Sequence, residues 1–217
     1  MPDIPGPTIV VATRNAKKAR EMLALLAPPW EPDPSLSRLT LRTVSECGDL
    51  PDVIEDGDTF AANARKKAAE TARRVRRWVV ADDSGLAVDA LDGAPGVLSA
   101  RYAGTQGDDA ANNRKLLSAL ADVPDDRRAA AFVCALALAD PSGAIVAEVE
   151  ARCRGRIIRE ERGPGGFGYD PLFLIPEYHR TFGELSALVK HQLSHRARAF
   201  ARLRPIVRRL LAEGRIG

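Results

Sequence analysis

The chain has 217 residues, of which 45% are hydrophobic, 28% charged and only 5% aromatic. That is enough for one large domain or two closely packed lobes, with a core resting mainly on Ala, Val and Leu. A formal charge of +3 is too small to argue nucleic-acid binding, no apolar run approaches the ~20 residues of a membrane span, and Cys47, Cys134 and Cys153 lack Cys-x-x-Cys spacing, which argues against a disulfide framework or a zinc site and suits the cytoplasm.

In chain order, Asp3 and several prolines precede a very short apolar run, which does not read as a signal peptide. Residues 8–12 are a β-branched first strand. Thr13-Arg14-Asn15-Ala16-Lys17-Lys18 follows, then a helical run over 19–27 that Thr13 or Asn15 would cap. A strand feeding a helix through Thr, Asn and Lys suits an anion, because free N–H groups and the helix dipole face the ligand. The same residues also read as a capped helix with a solvated first turn, since the Gly-rich spacing of a P-loop is absent. Residues 28–37 are a Pro-rich surface loop and 39–44 a second strand.

Glu55, Asp56 and Asp58 precede a long helix over 59–77, in which Thr59, Asn63 and Lys67 are spaced by four and share one face. The apolar run Trp78-Val79-Val80-Ala81 reads as a buried strand ending at Asp82-Asp83-Ser84-Gly85. Alternation turns one Asp to a site and the other behind it, and α/β sheets take ligands at strand carboxyl ends. A carboxylate at Glu55 and one at Asp83 would share a hard cation, since magnesium takes one or two carboxylates and completes its shell with water and phosphates. The alternative for this stretch alone is an acidic strand-end turn.

Residues 108–122 form an amphipathic helix with Leu116, Leu117 and Leu120 on its apolar side and Asn112, Asn113, Arg114 and Lys115 towards solvent. Residues 129–139 and 145–158 are strands, and Asp140-Pro141-Ser142-Gly143 between them makes an antiparallel hairpin, so the sheet is mixed. The loop from Gly163 to Pro171 carries four glycines, which permit close backbone approach. Phe167 and Tyr169 offer flat faces for a planar ring and Asp170 offers acceptors; otherwise it is a Gly-rich turn before a strand over 172–175. Lys190 lies just before Ser194, which caps a final helix running to about 213, kinked or divided at Pro205. His195 and Arg196 fall in its first turn, where a cation opposes the helix dipole unless a ligand compensates. The later arginines read as a solvated face. No repeat or long linker appears, so residues 1–217 are taken as a single domain of two lobes.

These motifs together resemble the Ham1/RdgB-like inosine triphosphate pyrophosphatases. Thr13, Asn15 and Lys18 match the family's Thr-x-Asn-x-x-Lys; Glu55, Gly57, Thr59, Phe60, Asn63 and Lys67 its helix entry; Ala81 to Gly104 its most specific block; Gly166 to Pro171 its Gly-Phe-Gly-Tyr-Asp-Pro loop; and Lys190 with Ser194-His195-Arg196 its closing motif. Arg14, Ala62 and Val189 depart from it. The resemblance implies an elongated α/β fold, a mixed β-sheet with flanking helices and two lobes around a central cleft, usually as a homodimer. It implies cleavage of ITP, dITP and XTP between the α and β phosphates, with magnesium at Glu55 and Asp83 and with Asp83 as the base. The substrate-binding set is Thr13, Arg14, Asn15, Ala16, Lys17, Lys18, Asn63, Lys67, Ser84, Phe167, Gly168, Tyr169, Asp170, Lys190, His195 and Arg196. Maf-like pyrophosphatases, which share fold and reaction type, would lack the Phe167 and Ser194-His195-Arg196 pocket. A basic nucleic-acid-binding module built on the final helix is the reading from another class. No membrane contact and no stable nucleic-acid partner are expected.

Overall fold

A computed structural model of the chain describes residues 6–217; Asp3, on which the reading against a signal peptide partly rests, lies outside the described residues. The strands are β1 Thr8–Val11, β2 Thr40–Thr43, β3 Trp78–Val88, β4 Ala129–Ala139, β5 Ile145–Ile157, β6 Phe173–Ile175 and β7 Arg180–Thr181. The helices are α1 Ala16–Leu26, α2 Phe60–Val75, α3 Asp109–Ala119, α4 Ala187–Leu193 and α5 His195–Ala212. Among the described residues no helix is long and apolar enough to cross a membrane, and the three cysteines are buried and form no disulfide.

The strands form one sheet in the order β2-β1-β3-β4-β5-β6-β7. β1 runs parallel to β2 and β3, whereas β6 is antiparallel to β5 and β7, so the sheet is mixed, as expected. The turn between β4 and β5 closes through Gly143 N–H to the Asp140 carbonyl at 2.8 Å, while Asp140 Oδ1 accepts from Ser142 N at 2.8 Å. So short a connection joins only antiparallel neighbours.

The chain divides into two compact units, the first comprising residues up to Asp83, Ala135–Glu150 and Ala199–Gly217, the second Ser84–Cys134 and Ala151–Arg198. The first has the small-residue core its composition suggests. Ala64, Ala68, Ala72 and Val75 share one face of α2 and cluster with Val79 and Ala81 of β3 and Ala135, Ala137 and Ala139 of β4. The second gathers the scarce aromatics: Phe132, Phe173 and Phe182 pack with centroids 4.6 to 5.9 Å apart, beside Leu86, Leu116, Leu120 and Tyr169.

Five features differ from expectation. α1 begins at Ala16 rather than 19, because Asn15 Oδ1 accepts from Lys17 N at 3.0 Å and Lys18 N at 3.1 Å and so nucleates the turn earlier. β3 continues through the Asp-Asp-Ser-Gly stretch to Val88, which makes Asp82 and Asp83 mid-strand residues. β1 pairs with β3 only as far as Val80, however, so both carboxylates lie just beyond the parallel ladder. Asn112 and Asn113 are 2% and 3% exposed rather than solvated, because distant backbone supplies their partners: Asn112 Oδ1 accepts from Ala103 N at 2.7 Å. The short helix α4, capped by Ser186, was not foreseen. Pro205 does not divide α5; it and Ala201, whose carbonyl loses its donor, face solvent, while Leu203, Val207 and Leu210 anchor the other side.

Candidate functional site

Alternation along β3 sends Asp82 and Asp83 to opposite faces. Asp83 lies on the side of Val79 and Ala81, where α2 packs. There Asn63 Nδ2 donates to Asp83 Oδ2 at 3.0 Å, and Asn63 Oδ1 accepts from Gly57 N at 2.8 Å. A Cβ on Gly57 would stand 2.8 Å from that oxygen, so the loop closes on Asn63 only with glycine there. One turn further on, Lys67 donates to the Asp82 carbonyl at 2.9 Å and is ion-paired with Glu55. On the opposite face, Lys18 Nζ stands 3.4 Å from Asp82 Oδ2.

Asp83 is only 6% exposed. Burial pushes its carboxyl from 3.8 up to about 6; Lys67 and the Asn63 hydrogen bond oppose the rise, and the Glu55 and Asp82 charges add to it. Two carboxylates close enough to feel each other, with oxygen donors alone, suit a hard divalent cation, which would relieve that repulsion. Among the described residues no group of three or more His, Cys, Asp or Glu is placed to hold a metal by itself.

At the start of α1, Thr13 Oγ1 accepts from Asn15 N at 3.2 Å. The Asn15 cap engages the Lys17 and Lys18 N–H groups expected to face a ligand, so this helix end offers an anion its dipole and its side chains. Ala16 and Lys17 are exposed. Arg14 points elsewhere, to the Leu50 carbonyl and to Asp52 at 2.8 Å, so its charge is already paired.

In the second unit the loop from Gly163 to Pro171 folds around Asp170. Its Oδ2 accepts from Phe167 N at 2.8 Å and from Lys190 Nζ. A Cβ on Gly166, at φ +81°, would lie 2.2 Å from the same oxygen. This glycine therefore admits the protein's own carboxylate, where close approach to a ligand was expected. Lys190 Nζ lies 4.6 Å and the Arg196 guanidinium 5.5 Å from the Phe167 ring centroid, and Arg196 Nη2 reaches Ser84 Oγ at 2.5 Å. Gly168 donates its N–H to Asp109 Oδ2 at 2.8 Å.

Tyr169 departs from its expected stacking role: it is 4% exposed in the aromatic core, with its hydroxyl donating to the Ser99 carbonyl at 2.8 Å. Its position two residues from Phe167 in sequence hid that difference. His195, 3% exposed, stacks on Phe132 at 4.9 Å. Ser194 Oγ caps α5 through Ala197 N at 3.1 Å.

The predicted residues thus gather as Lys18, Glu55, Asn63, Lys67 and Asp83 around Asp82 in the first unit, and as Ser84, Phe167, Asp170, Lys190 and Arg196 in the second. The Ham1 family model matches residues 9–206. The chain is 55% identical over 203 residues, 94% of both chains, to a protein of Rhodopirellula baltica named dITP/XTP pyrophosphatase. Among solved structures it is similar to a HAM1 protein from Coxiella burnetii, with TM-score 0.81 and 37% identity over 93% of this chain and 98% of that one. It is also similar to a nucleoside-triphosphatase, dITP/XTP pyrophosphatase, from Mycobacterium abscessus, with TM-score 0.73 and 46% identity over 91% and 99%. With nearly its whole length matched in each case, the chain belongs to the Ham1 family.

Proposed function

We propose that the protein is a magnesium-dependent nucleoside triphosphate pyrophosphatase that hydrolyses non-standard purine nucleotides, ITP, dITP and XTP, to the monophosphate and pyrophosphate. The observation that carries this is the buried Asp83 carboxylate, held by Asn63 Nδ2 and set beside the ion-paired Glu55 and Lys67. The names of the relatives from Rhodopirellula baltica and Mycobacterium abscessus support the same reaction.

In this reading Glu55 and Asp83 would hold the magnesium ion, which when bound would neutralise developing phosphate charge. Asp83 takes the proton from the attacking water, Asn63 fixes the Asp83 carboxylate, and Asp82 anchors Lys67 and Lys18. These lysines, with Lys17 and the dipole of α1, answer the phosphates of the substrate. Phe167 stacks on the purine, held by Lys190 and Asp170, while Arg196 or His195 presents a donor to the 6-oxo group. Adenine has a 6-amino donor there and leaves the site's group unpaired, a mismatch that such sites reject by ~10⁴-fold. Arg14 and Tyr169 contribute through the surrounding structure. We place the enzyme in the cytoplasm as a homodimer, which sedimentation velocity would check.

The deciding experiment is a panel of nucleoside triphosphates with magnesium, analysed for pyrophosphate against orthophosphate. ITP, dITP and XTP are expected to release pyrophosphate with kcat/KM on the order of 10³- to 10⁴-fold above ATP. Comparable values for ATP and ITP, or release of orthophosphate, would overturn the reading.

A further inference from the structure

α3 grips the loop that carries Phe167. Asp109 Oδ2 accepts from Gly168 N–H at 2.8 Å, and Asn113 Nδ2 donates to the Gly168 carbonyl at 3.3 Å. The two residues are four apart and so share one face of the helix. Neither caps the helix, to which Asp109 adds only a first-turn charge that suits the dipole. Its N-cap is Asp108, whose Oδ1 accepts from Ala111 N at 2.9 Å, and a buried Asn in a helix interior is a poor helix former that costs free energy unless hydrogen-bonded. Asn113 is 3% exposed. Its Nδ2 also donates to Glu161 Oε1 at 2.9 Å, while its Oδ1 has no hydrogen-bond partner.

The backbone around Phe167 is thereby fixed on both sides. Asp170 holds the N–H of Phe167 itself, and Asp109 holds the N–H of the peptide that follows. The flanking residues, Gly166 at φ +81° and Gly168 at φ +61°, have no side chains to restrain them. Without the grip of α3 the segment regains the freedom that glycine confers.

We propose that Asp109 and Asn113 are positioning residues for base recognition: by clamping Gly168 they set the Phe167 ring at the angle the purine requires. This rests on the assignment of Phe167 under the proposed function.

The test uses the full chain with Asp109→Ala, Asp109→Asn and Asn113→Ala, each checked for folding by thermal melting. Asp109 is partly exposed and dispensable for the N-cap, so its variants decide the matter if Asn113→Ala fails to fold. Loss of one hydrogen bond at the clamp is expected to raise the KM for ITP, and the calorimetric Kd for IMP, by about five- to ten-fold, with kcat nearly unchanged. Asp109→Asn keeps an acceptor for Gly168 and is expected to return close to the unsubstituted protein. Inhibition by inorganic pyrophosphate, which carries no base, should not move. A folded Asp109→Ala with unchanged KM and Kd, or one losing kcat and pyrophosphate affinity equally, overturns the clamp. If the unsubstituted protein neither hydrolyses ITP nor binds IMP, the proposed function falls, and the clamp's role in base recognition with it.

Discussion

Asp83 sits where an ionised carboxylate is costly, and that cost is measurable apart from catalysis. The folded protein retains the Asp83 proton up to about pH 6, whereas an exposed Asp releases it near 3.8. Between those values the native state binds more protons than the unfolded chain, so stability falls as pH rises through the window and stays lower above it. The gap from 3.8 to about 6 corresponds to roughly 3 kcal/mol. Asp83→Asn should therefore abolish turnover yet raise Tm at pH 7.5 in EDTA, with the gain shrinking towards pH 4. A variant no more stable than the parent at pH 7.5 would contradict the burial argument. Lys67 opposes that cost from its place between Glu55 and the Asp82 carbonyl. Charge-assisted contacts are worth ~1.5–3 kcal/mol, so Lys67→Ala should lower kcat/KM by one to two decades. Lower Tm with full turnover per folded molecule would make the lysine a structural brace only.

The start of α1 separates capping from phosphate binding within one element. Asn15→Ala removes the acceptor for Lys17 N and Lys18 N and should cost about 1 kcal/mol, read as a lower Tm. Asn15→Asp caps equally well but adds negative charge where the phosphates are proposed to lie. It should keep Tm and raise KM; an unchanged KM would remove this helix end from the phosphate site. Elements governed by local rules were legible in the sequence: β1 from its β-branched run, the β4–β5 hairpin from Asp140 to Gly143, and α2 from the spacing of Thr59, Asn63 and Lys67, although Thr59 serves as its cap through Ala62 N rather than as a helical residue. The misjudged ones depend on partners far along the chain. Asp-Asp-Ser-Gly looks like a turn, yet it stays in β3 because Lys18, Asn63 and Lys67 satisfy its carboxylates and carbonyl. Asn113 looks solvated, but Gly168 and Glu161, some fifty positions on, bury it. No local periodicity reports such partners.

At the scale of the whole molecule, the acid and lysine positions were readable because their chemistry follows from residue type and spacing, whereas the division of labour inside the Gly-rich loop was not. Phe167 and Tyr169 are both aromatic and two residues apart, and only the Ser99 carbonyl and the Phe132 cluster assign Tyr169 to the core. Charge raises the same question about the arginines of α5, which a sequence displays as a basic stripe. In the structure Arg198 donates to the Leu193 and Arg152 carbonyls and Arg202 to the Glu150 carbonyl. Arg204, Arg208 and Arg209 are ion-paired with Glu31, Asp33 and Glu213. Guanidinium groups with such partners have less capacity to replace counterions along a phosphate backbone, and 32 Lys and Arg against 29 Asp and Glu leave little net field. The protein should show no retention on duplex DNA at about 150 mM salt, since purely electrostatic binding weakens steeply with salt. Arg202→Gln with Arg204→Gln removes one carbonyl contact and one ion pair to an exposed Glu31; it should lower Tm slightly, as surface pairs contribute little, and leave ITP turnover intact. DNA binding that persists at that salt and is lost in the double variant would instead make the helix a nucleic-acid surface.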